Sequence, residues 1–386
     1  MKSRFGLHPT TLLLAGTHLL VDGYGNIYAP LLPLLVPKLG LSLATVGTLQ
    51  MCFQLANSVT QLGFGAIADR WRPRVLLRAG PIAAIVAMTL IGLAPNVWML
   101  AAVLVLGGLG GAAFHPPAAA LVHRYGGARA GYAMSFHISA GSVGQALAPL
   151  LFAPFAAVFG LGATPLMMLP PLVAFAFLLP ALPPMGRLQE HRESRGLAAL
   201  KPYRKPLTLL YLIVVLRTLT ALSFSTFMTV MLTRQGMSVS AAGAAVAVYM
   251  FASSIGGFLG GPIADAWGPR RVIILSLVGA VPFLLAAPFF TGWTFVAVVA
   301  CGGFLLQSTL PVNVTFGQTI APIGAATVSS LMMGFAWGMG GIVVPLVGLV
   351  ADRIGIERTL MMMACAPLVA ALLAVPLPRT GTDVAE

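Results

Sequence analysis

Long apolar segments alternate along the chain with short breaks of charged residues, proline or glycine. Because a membrane-spanning α-helix needs roughly 20 apolar residues, each segment predicts one transmembrane helix. The longest polar stretch, 183–205, follows the sixth segment. The pattern predicts an all-α membrane protein with an N-terminal six-helix bundle at 1–182, a cytoplasmic linker at 183–205 and a C-terminal six-helix bundle at 206–386. The twelve predicted spans are 11–36, 43–68, 75–93, 97–122, 130–159, 164–182, 206–233, 239–264, 271–291, 293–318, 325–350 and 357–378.

The composition excludes a soluble domain. Of the 386 residues, 58% are hydrophobic and only 8% are charged, and the mean hydropathy is +0.94. A soluble domain carries about 25% charged residues, so this chain has too little polar surface to cover itself in water.

The net charge of +13 raises the question of a nucleic-acid partner, and the position of the charges answers it. With the N-terminus in the cytoplasm, 17 of the 22 Lys and Arg residues fall in predicted cytoplasmic segments, four fall outside, and Arg217 lies within a helix. This bias is the one expected of a bacterial-type inner-membrane protein with both termini in the cytoplasm. The basic charge therefore sets the topology, and no nucleic acid is needed to explain it.

Two motifs repeat at a common offset of 196 residues, which predicts that the two halves are related. Residues 65–69 (Gly-Ala-Ile-Ala-Asp) correspond to 261–265 (Gly-Pro-Ile-Ala-Asp), and Gly144 and Pro149 correspond to Gly340 and Pro345. Internal repeats of this kind are typical of secondary transporters, whose binding sites lie near the membrane midplane between the halves.

Asp22 is the only one of the nine acidic residues that lies in the interior of a predicted span; the others sit at helix ends, in loops or in tails. Eleven residues after Thr11, it is about 16 Å along the helix and so near the bilayer midplane. A carboxylate at that depth costs about 3 kcal/mol, so we interpret Asp22 as a proton carrier, paired with His18 one helical turn earlier. The alternative is a structural carboxylate that stays hydrogen-bonded to a neighbouring helix.

Arg217 is the corresponding buried charge of the seventh span, eleven residues after Pro206. Shifted by the repeat offset, it lies within one residue of Asp22. Because arginine keeps its proton, it must pair with or bind an anion. Either it attracts an anionic substrate group, such as a phosphonate, or it forms a constant ion pair with Asp22.

Histidines and prolines mark the middle of the N-terminal half. His115 and His137, in the fourth and fifth spans, are candidate relays or ligands, although a membrane histidine is also often a packing residue. Pro116 and Pro117 remove two backbone donors, which predicts an interruption of the fourth helix. Three histidines and one aspartate could bind a metal ion, but only His18 and Asp22 have a defined spacing, so no metal site and no cofactor are predicted.

Several motifs resemble those of a known family. The Gly-x-x-x-Asp-Arg motif at 65–70, partly repeated at 261–265, resembles the loop motif of the major facilitator superfamily. Four stretches resemble its fosmidomycin resistance protein group: His18-x-x-x-Asp22, 53–56 (Phe-Gln-Leu-Ala), 114–116 (Phe-His-Pro) and 334–341. The resemblance implies a proton-driven drug exporter. Gly141-x-x-Gly144, followed by Pro149, is similar to an antiporter motif whose small residues allow helices to approach closely.

The resemblance also implies roles for charged residues, with two departures. The fourth span has no Arg between Arg78 and Arg124, and Thr319 follows Gln318 where the family implies Glu; both shift the coupling role towards Asp22. By resemblance, six cytoplasmic residues form a conformational latch: Asp69, Arg70, Arg74, Asp265, Arg270 and Arg271. The candidate substrate-binding residues are Arg217, His115, His137, Gln145, Gln307, Asn313 and Trp337.

The sequence therefore predicts a monomeric proton-coupled transporter in a lipid bilayer, most simply a drug:proton antiporter that exports small antimicrobials such as fosmidomycin. The alternative is a proton symporter that imports a small metabolite, because the same protonatable site would serve both. An enzyme is not predicted, since no GxSxG, HExxH or SxxK motif is present and the membrane holds only one carboxylate.

Overall fold

The computed structural model describes residues 6–70, 73–182, 197–322 and 325–379, and these residues form α-helices joined by short turns and 3₁₀ segments. Within these ranges there is no β-strand. A single π-helical turn is described, at Ser330–Phe335. The helices are α1 Pro9–Gly25, α2 Tyr28–Leu39, α3 Leu43–Ser58, α4 Thr60–Arg70, α5 Pro73–Thr89, α6 Val97–Gly126, α7 Ala130–Phe159, α8 Leu169–Leu178, α9 Arg204–Arg234, α10 Val239–Trp267, α11 Pro269–Ala286, α12 Gly292–Gln307, α13 Thr309–Ile320, α14 Ala325–Ser329, α15 Ala336–Ile354, α16 Ile356–Ala364 and α17 Ala366–Ala374.

The helices confirm the predicted all-α membrane architecture. In the described part of the chain, 11 helical stretches are long and apolar enough to cross a membrane. The remaining predicted span, 43–68, is occupied by two shorter helices, α3 and α4, which meet at Val59. The chain is therefore a multi-pass membrane protein.

Some predicted spans consist of two helices because a local break interrupts them. The first span divides between α1 and α2 at Asn26 and Ile27, where the Asn26 N–H bonds to the carbonyls of Asp22 and Gly23. The tenth divides between α12 and α13 at Ser308. Hydropathy alone does not predict these breaks, because they depend on side-chain and capping hydrogen bonds.

The described residues cluster into two compact units. The first is drawn from Met1–Leu41, Cys52–Glu190 and Ser238–Ala247, and α1, α5, α6 and α7 pack together in it. The second is drawn from Ser42–Met51, His191–Met237 and Val248–Glu386, and α9 packs there against α15 and α17, with α11 against α12 and α17.

Glycines bring helix backbones together at corresponding positions of the two units. A Cβ atom on Gly144 of α7 would lie 2.0 Å from the Leu19 carbonyl oxygen of α1. A Cβ on Gly340 of α15 would lie 2.9 Å from Thr218 Cγ2 of α9. The close approach predicted for the glycine motif is thus present, and its repeat partner makes a similar contact.

The predicted interruption at Pro116 and Pro117 is wrong. Helix α6 continues without a break from Val97 to Gly126. The two prolines weaken the helix locally, but the contacts of α6 with α1, α4, α5 and α7 stabilise it as one continuous helix.

Candidate functional site

Asp22 lies at the centre of a buried polar cluster in the first unit. Helix α1 places His18 and Asp22 one turn apart, with His18 Nε2 3.3 Å from Asp22 Oδ2. His115 Nε2, on α6, lies 3.5 Å from Asp22 Oδ1. The Gln145 side-chain amide, on α7, donates to Asp22 Oδ2 at 2.9 Å. Three helices therefore direct polar groups at one carboxylate.

The hydrogen-bond pattern fixes where the proton of His18 lies. His18 Nδ1 is 2.8 Å from the His137 carbonyl oxygen, which can only accept, so Nδ1 carries a hydrogen. In a neutral ring, Nε2 is then an acceptor, and it faces an oxygen of the Asp22 carboxyl group, which also accepts when ionised. Two acceptors at that distance repel unless a proton or another cation is shared between them. His18 Nε2 and Asp22 Oδ2 can therefore bind a proton or another cation between them.

Gly141 makes room for this pair. A Cβ atom on Gly141 would lie 2.7 Å from His18 Nε2 and 2.8 Å from Asp22 Oδ2. Any larger residue on this face of α7 would displace the two side chains. One turn further along, the Asn26 side-chain amide donates to the Gln145 carbonyl at 3.0 Å, which fixes the end of α1 against α7.

The cluster is shielded from solvent but not sealed. The side chains of His18, Asp22 and His115 are 10%, 14% and 19% exposed. His137, stacked near His18 with ring centroids 4.2 Å apart, is buried, and its Nδ1 has no hydrogen-bond partner. Electrostatic interactions are stronger at such a site than in water, so adding or removing one proton changes the balance of the whole cluster.

Arg217 forms the centre of a second buried cluster, in the second unit. Its side chain is 1% exposed, its Nη1 donates to Gln307 Oε1, and its Nη2 donates to Thr218 Oγ1 at 3.1 Å. The guanidinium carbon lies 5.8 Å from the centre of the Trp337 ring, a cation–π contact. Arg217 Nε has no partner, and across the described ranges no carboxylate lies within 4.0 Å of this guanidinium. The positive charge is held by neutral groups only.

The same unit contains further buried polar side chains. Tyr249 interacts electrostatically with Arg217 and forms a side-chain hydrogen bond with Ser253, whereas both side-chain polar atoms of Asn313 lack hydrogen-bond partners. Gly303 lies one turn before Gln307 on α12. A Cβ atom on Gly303 would lie 2.5 Å from the Tyr249 ring and 2.7 Å from Ser253 Oγ. Unpaired buried polar atoms cost free energy, and Arg217 Nε and the Asn313 side-chain amide are such atoms in this unit.

The structure sorts the predicted site residues into two groups. His115, His137 and Gln145, predicted to bind substrate, surround Asp22, whereas Gln307 and Trp337 contact Arg217. Asp22 and Arg217 each have partners in their own unit. Sequence reasoning missed Tyr249 and Ser253, although a polar pair four residues apart inside an apolar span is a signal that could have identified them.

The latch residues remain a prediction. Asp69 and Arg70 belong to α4, but their side chains lie outside the described part of the structure. Arg74, Asp265 and Arg271 are exposed and Arg270 is half-buried. As far as side chains are described, Asp265 forms no ion pair with Arg270 or Arg271.

Comparison with known proteins places the chain among membrane transporters. A model of the Major Facilitator Superfamily matches residues 14–306. The chain is similar to the fosmidomycin resistance protein of Escherichia coli (strain K12), with 29% identity over 366 residues, which cover 92% of this chain and 89% of that protein. It is also similar to YfnC, an uncharacterized MFS-type transporter of Bacillus subtilis (strain 168), with 27% identity over 385 residues, which cover 95% and 92%.

Solved structures share the fold. A bacterial homolog of the human lysosomal transporter Spinster, in an inward-facing and occupied conformation, matches with a TM-score of 0.80 and 18% identity over 97% of both chains. The nucleoside transporter NupG matches with a TM-score of 0.76 and 15% identity over 96% of this chain and 99% of that one. At these identities the likeness concerns the fold alone.

Proposed function

We propose that this chain, which belongs to the major facilitator superfamily, is a proton-coupled antiporter that exports small, anionic antimicrobials by alternating access. The family makes it a transporter, and the similarity to a fosmidomycin resistance protein favours a fosmidomycin-like compound as substrate. It acts as a monomer in a bacterial-type inner membrane with both termini in the cytoplasm, as the charge bias favours.

The observation that carries the proposal is the pair of facing acceptors, His18 Nε2 and Asp22 Oδ2, at 3.3 Å. A proton from outside fits between them and converts a repulsive contact into a charge-assisted hydrogen bond. His115, on the other oxygen of the same carboxyl group, gives the proton a second position. Binding of this proton on one side of the membrane and its release on the other would couple transport to the proton gradient.

Arg217 supplies the counterpart for substrate. Its guanidinium is fully charged, is buried among neutral groups and has an Nε without a partner. Arginine presents a planar set of donors that matches phosphonate and carboxylate oxygens. An anionic substrate group would satisfy Arg217, and the Tyr249 and Ser253 hydroxyls would provide further hydrogen bonds to it.

The test is proton flux in proteoliposomes that enclose a pH-sensitive dye. When fosmidomycin is added, the wild-type protein should carry protons across the membrane in the direction opposite to the drug. Asp22→Asn should abolish the flux because the amide accepts from Gln145 and donates to His18, which keeps the hydrogen bonds but removes the titrating proton. Arg217→Gln should abolish it by removing the charge that binds substrate. His123→Gln, an exposed histidine outside both clusters, is the control and should transport normally.

The direction of flux separates the two transport modes. Protons and drug moving in opposite directions support the antiporter, and movement in the same direction supports the metabolite symporter instead. Normal flux in Asp22→Asn would show that Asp22 is not the carrier. No flux in wild type would reject fosmidomycin as the substrate.

A further inference from the structure

The cluster around Asp22 has the composition and the spacing of a metal site. One ligand atom from each of His18, Asp22 and His115 lies within 4.8 Å of the other two. We propose that these three side chains bind a divalent transition-metal ion, with Zn²⁺ as the reference ion. This goes beyond the proposed antiport, because metal binding at equilibrium requires neither transport nor the drug.

Two separations, each to a different oxygen of Asp22, match those between neighbouring ligands of a small tetrahedral ion. With metal–nitrogen and metal–oxygen bonds of about 2.0–2.2 Å, neighbouring ligand atoms lie about 3.3–3.6 Å apart. His18 Nε2 and Asp22 Oδ2 are 3.3 Å apart, and His115 Nε2 and Asp22 Oδ1 are 3.5 Å apart. These separations suit an ion placed between the atoms.

The surrounding hydrogen bonds orient the ligands as they do in known metal sites. A metal-bound histidine usually donates its other ring N–H to a carbonyl or carboxylate, which fixes the lone pair on the ligating nitrogen. His18 donates Nδ1–H to the His137 carbonyl at 2.8 Å, so its Nε2 lone pair faces Asp22. The Gln145 amide steadies Asp22 Oδ2 at 2.9 Å. The first ligand and the carboxylate are therefore oriented in advance.

His137 provides a second and independent indication. Its side chain is 2% exposed, its Nδ1 has no hydrogen-bond partner, and its ring lies 4.2 Å from that of His18. His137 is not one of the three ligands, and its unpartnered ring nitrogen, next to the His18 ring, is a group that a metal-bound water would satisfy. Two imidazoles and one carboxylate favour Zn²⁺, Co²⁺ and Ni²⁺ over Mg²⁺ and Ca²⁺, which prefer oxygen ligands only.

A bound ion would occupy the lone pairs that the proposed proton uses. Zn²⁺ is therefore expected to inhibit proton-coupled transport. The two proposals can still fail separately, because the binding measurement below contains no substrate and no proton gradient.

The experiment measures Zn²⁺ binding by isothermal titration calorimetry, using detergent-purified protein that carries no polyhistidine tag. One ion per chain is expected. Asp22→Asn and His115→Gln should each weaken binding by at least 10-fold, about the smallest loss seen when even a second-shell partner of a metal site is removed. His123→Gln, which changes an exposed histidine, should bind like wild type. Co²⁺ should give the strong visible absorption of a tetrahedral site in wild type and not in the two cluster variants.

Folding and binding are kept apart by size-exclusion chromatography of every variant. A rise in Tm on adding Zn²⁺ in wild type and in His123→Gln, but not in a monodisperse Asp22→Asn, supports the site. Equal affinity in wild type and in monodisperse His115→Gln and Asp22→Asn would overturn it. So would a loss of binding in His123→Gln alone, or Zn²⁺ binding no tighter than Mg²⁺ binding.

Discussion

Replacing Gly144 with alanine places a methyl group where α7 touches the backbone of α1. The new Cβ would lie 2.0 Å from the Leu19 carbonyl oxygen and 2.8 Å from its carbon. A carbon–oxygen contact needs about 3.3 Å, so the two helices must separate by roughly 1.3 Å. No rotamer change relieves the clash, because the atoms that are met belong to the backbone.

The cost follows from that separation. Overpacking a well-packed contact costs about 1–3 kcal/mol, and a clash with backbone belongs at the upper end. Alanine recovers about 1 kcal/mol through its higher helix propensity, which leaves a net loss of about 2 kcal/mol. For a unit of this size, about 2–4 °C of Tm is lost per kcal/mol, so Gly144→Ala should lower the Tm by roughly 4–8 °C.

Two other glycines supply matched controls, and the assay is thermal unfolding in detergent followed by tryptophan fluorescence. Gly16→Ala on α1 meets nothing within 4 Å and should keep or slightly raise the Tm. Gly141→Ala meets only the ends of His18 and Asp22, which can move, so it should keep most of the stability while losing proton flux. If Gly144→Ala and Gly16→Ala unfold at the same temperature, the argument from close helix contact is refuted.

Three further outcomes are expected. Asp352→Ala should lower stability by about 0.5–2 kcal/mol in the same assay. The reason is that the Asp352 carboxylate accepts hydrogen bonds from the backbone N–H groups of Leu43 and Ala44, at the start of α3, at 2.8 and 2.9 Å. The control Asp265→Ala, which removes an exposed acid, should leave the stability unchanged. Tyr249→Phe removes one hydrogen bond to Ser253, so it should cost only about 0.5–1.5 kcal/mol of stability, yet it should weaken substrate binding measured by calorimetry; unchanged binding would contradict this. In a cysteine-free background, a membrane-impermeant maleimide should label Ser238→Cys on intact cells but label Lys201→Cys only after permeabilisation, and the reverse pattern would overturn the orientation.

Hydropathy predicted where the apolar helices lie, because each depends only on local composition; 11 of the twelve predicted spans contain a described helical stretch long and apolar enough to cross a membrane. Every predicted span is occupied by helix, since a backbone in lipid must satisfy its own hydrogen bonds. The breaks inside spans, as at Asn26 and Ser308, were not predicted, because they depend on contacts with other helices. The expectation of a break at Pro116 failed for the same reason, since packing overrides a local preference.

Contacts between site residues on the same helix could be predicted from the sequence, but contacts between residues on different helices could not. The spacing of His18 and Asp22 defines their contact, so their pairing could be predicted from the sequence. His115 and His137 were candidates without a position, because nothing in the sequence fixes how α6 and α7 are rotated against α1. The packing of α6 and α7 against α1 places His115 beside Asp22 and His137 beside His18.

The repeat explains why Asp22 and Arg217 occupy corresponding positions yet have different surroundings. In the first unit, Gly144 packs against α1 beside Leu19, and in the second, Gly340 packs against α9 at Thr218. Both units thus keep a close glycine contact between the two helices, with the Leu19 backbone in the first unit and mainly with the Thr218 side chain in the second. Asp22 is surrounded by nitrogen groups that can carry or exchange a proton, whereas Arg217 is surrounded by an amide, a hydroxyl and an indole that cannot take up its charge. The first cluster therefore suits a cation and the second suits an anion, which is the chemical difference on which the proposed exchange of protons for an anionic drug rests.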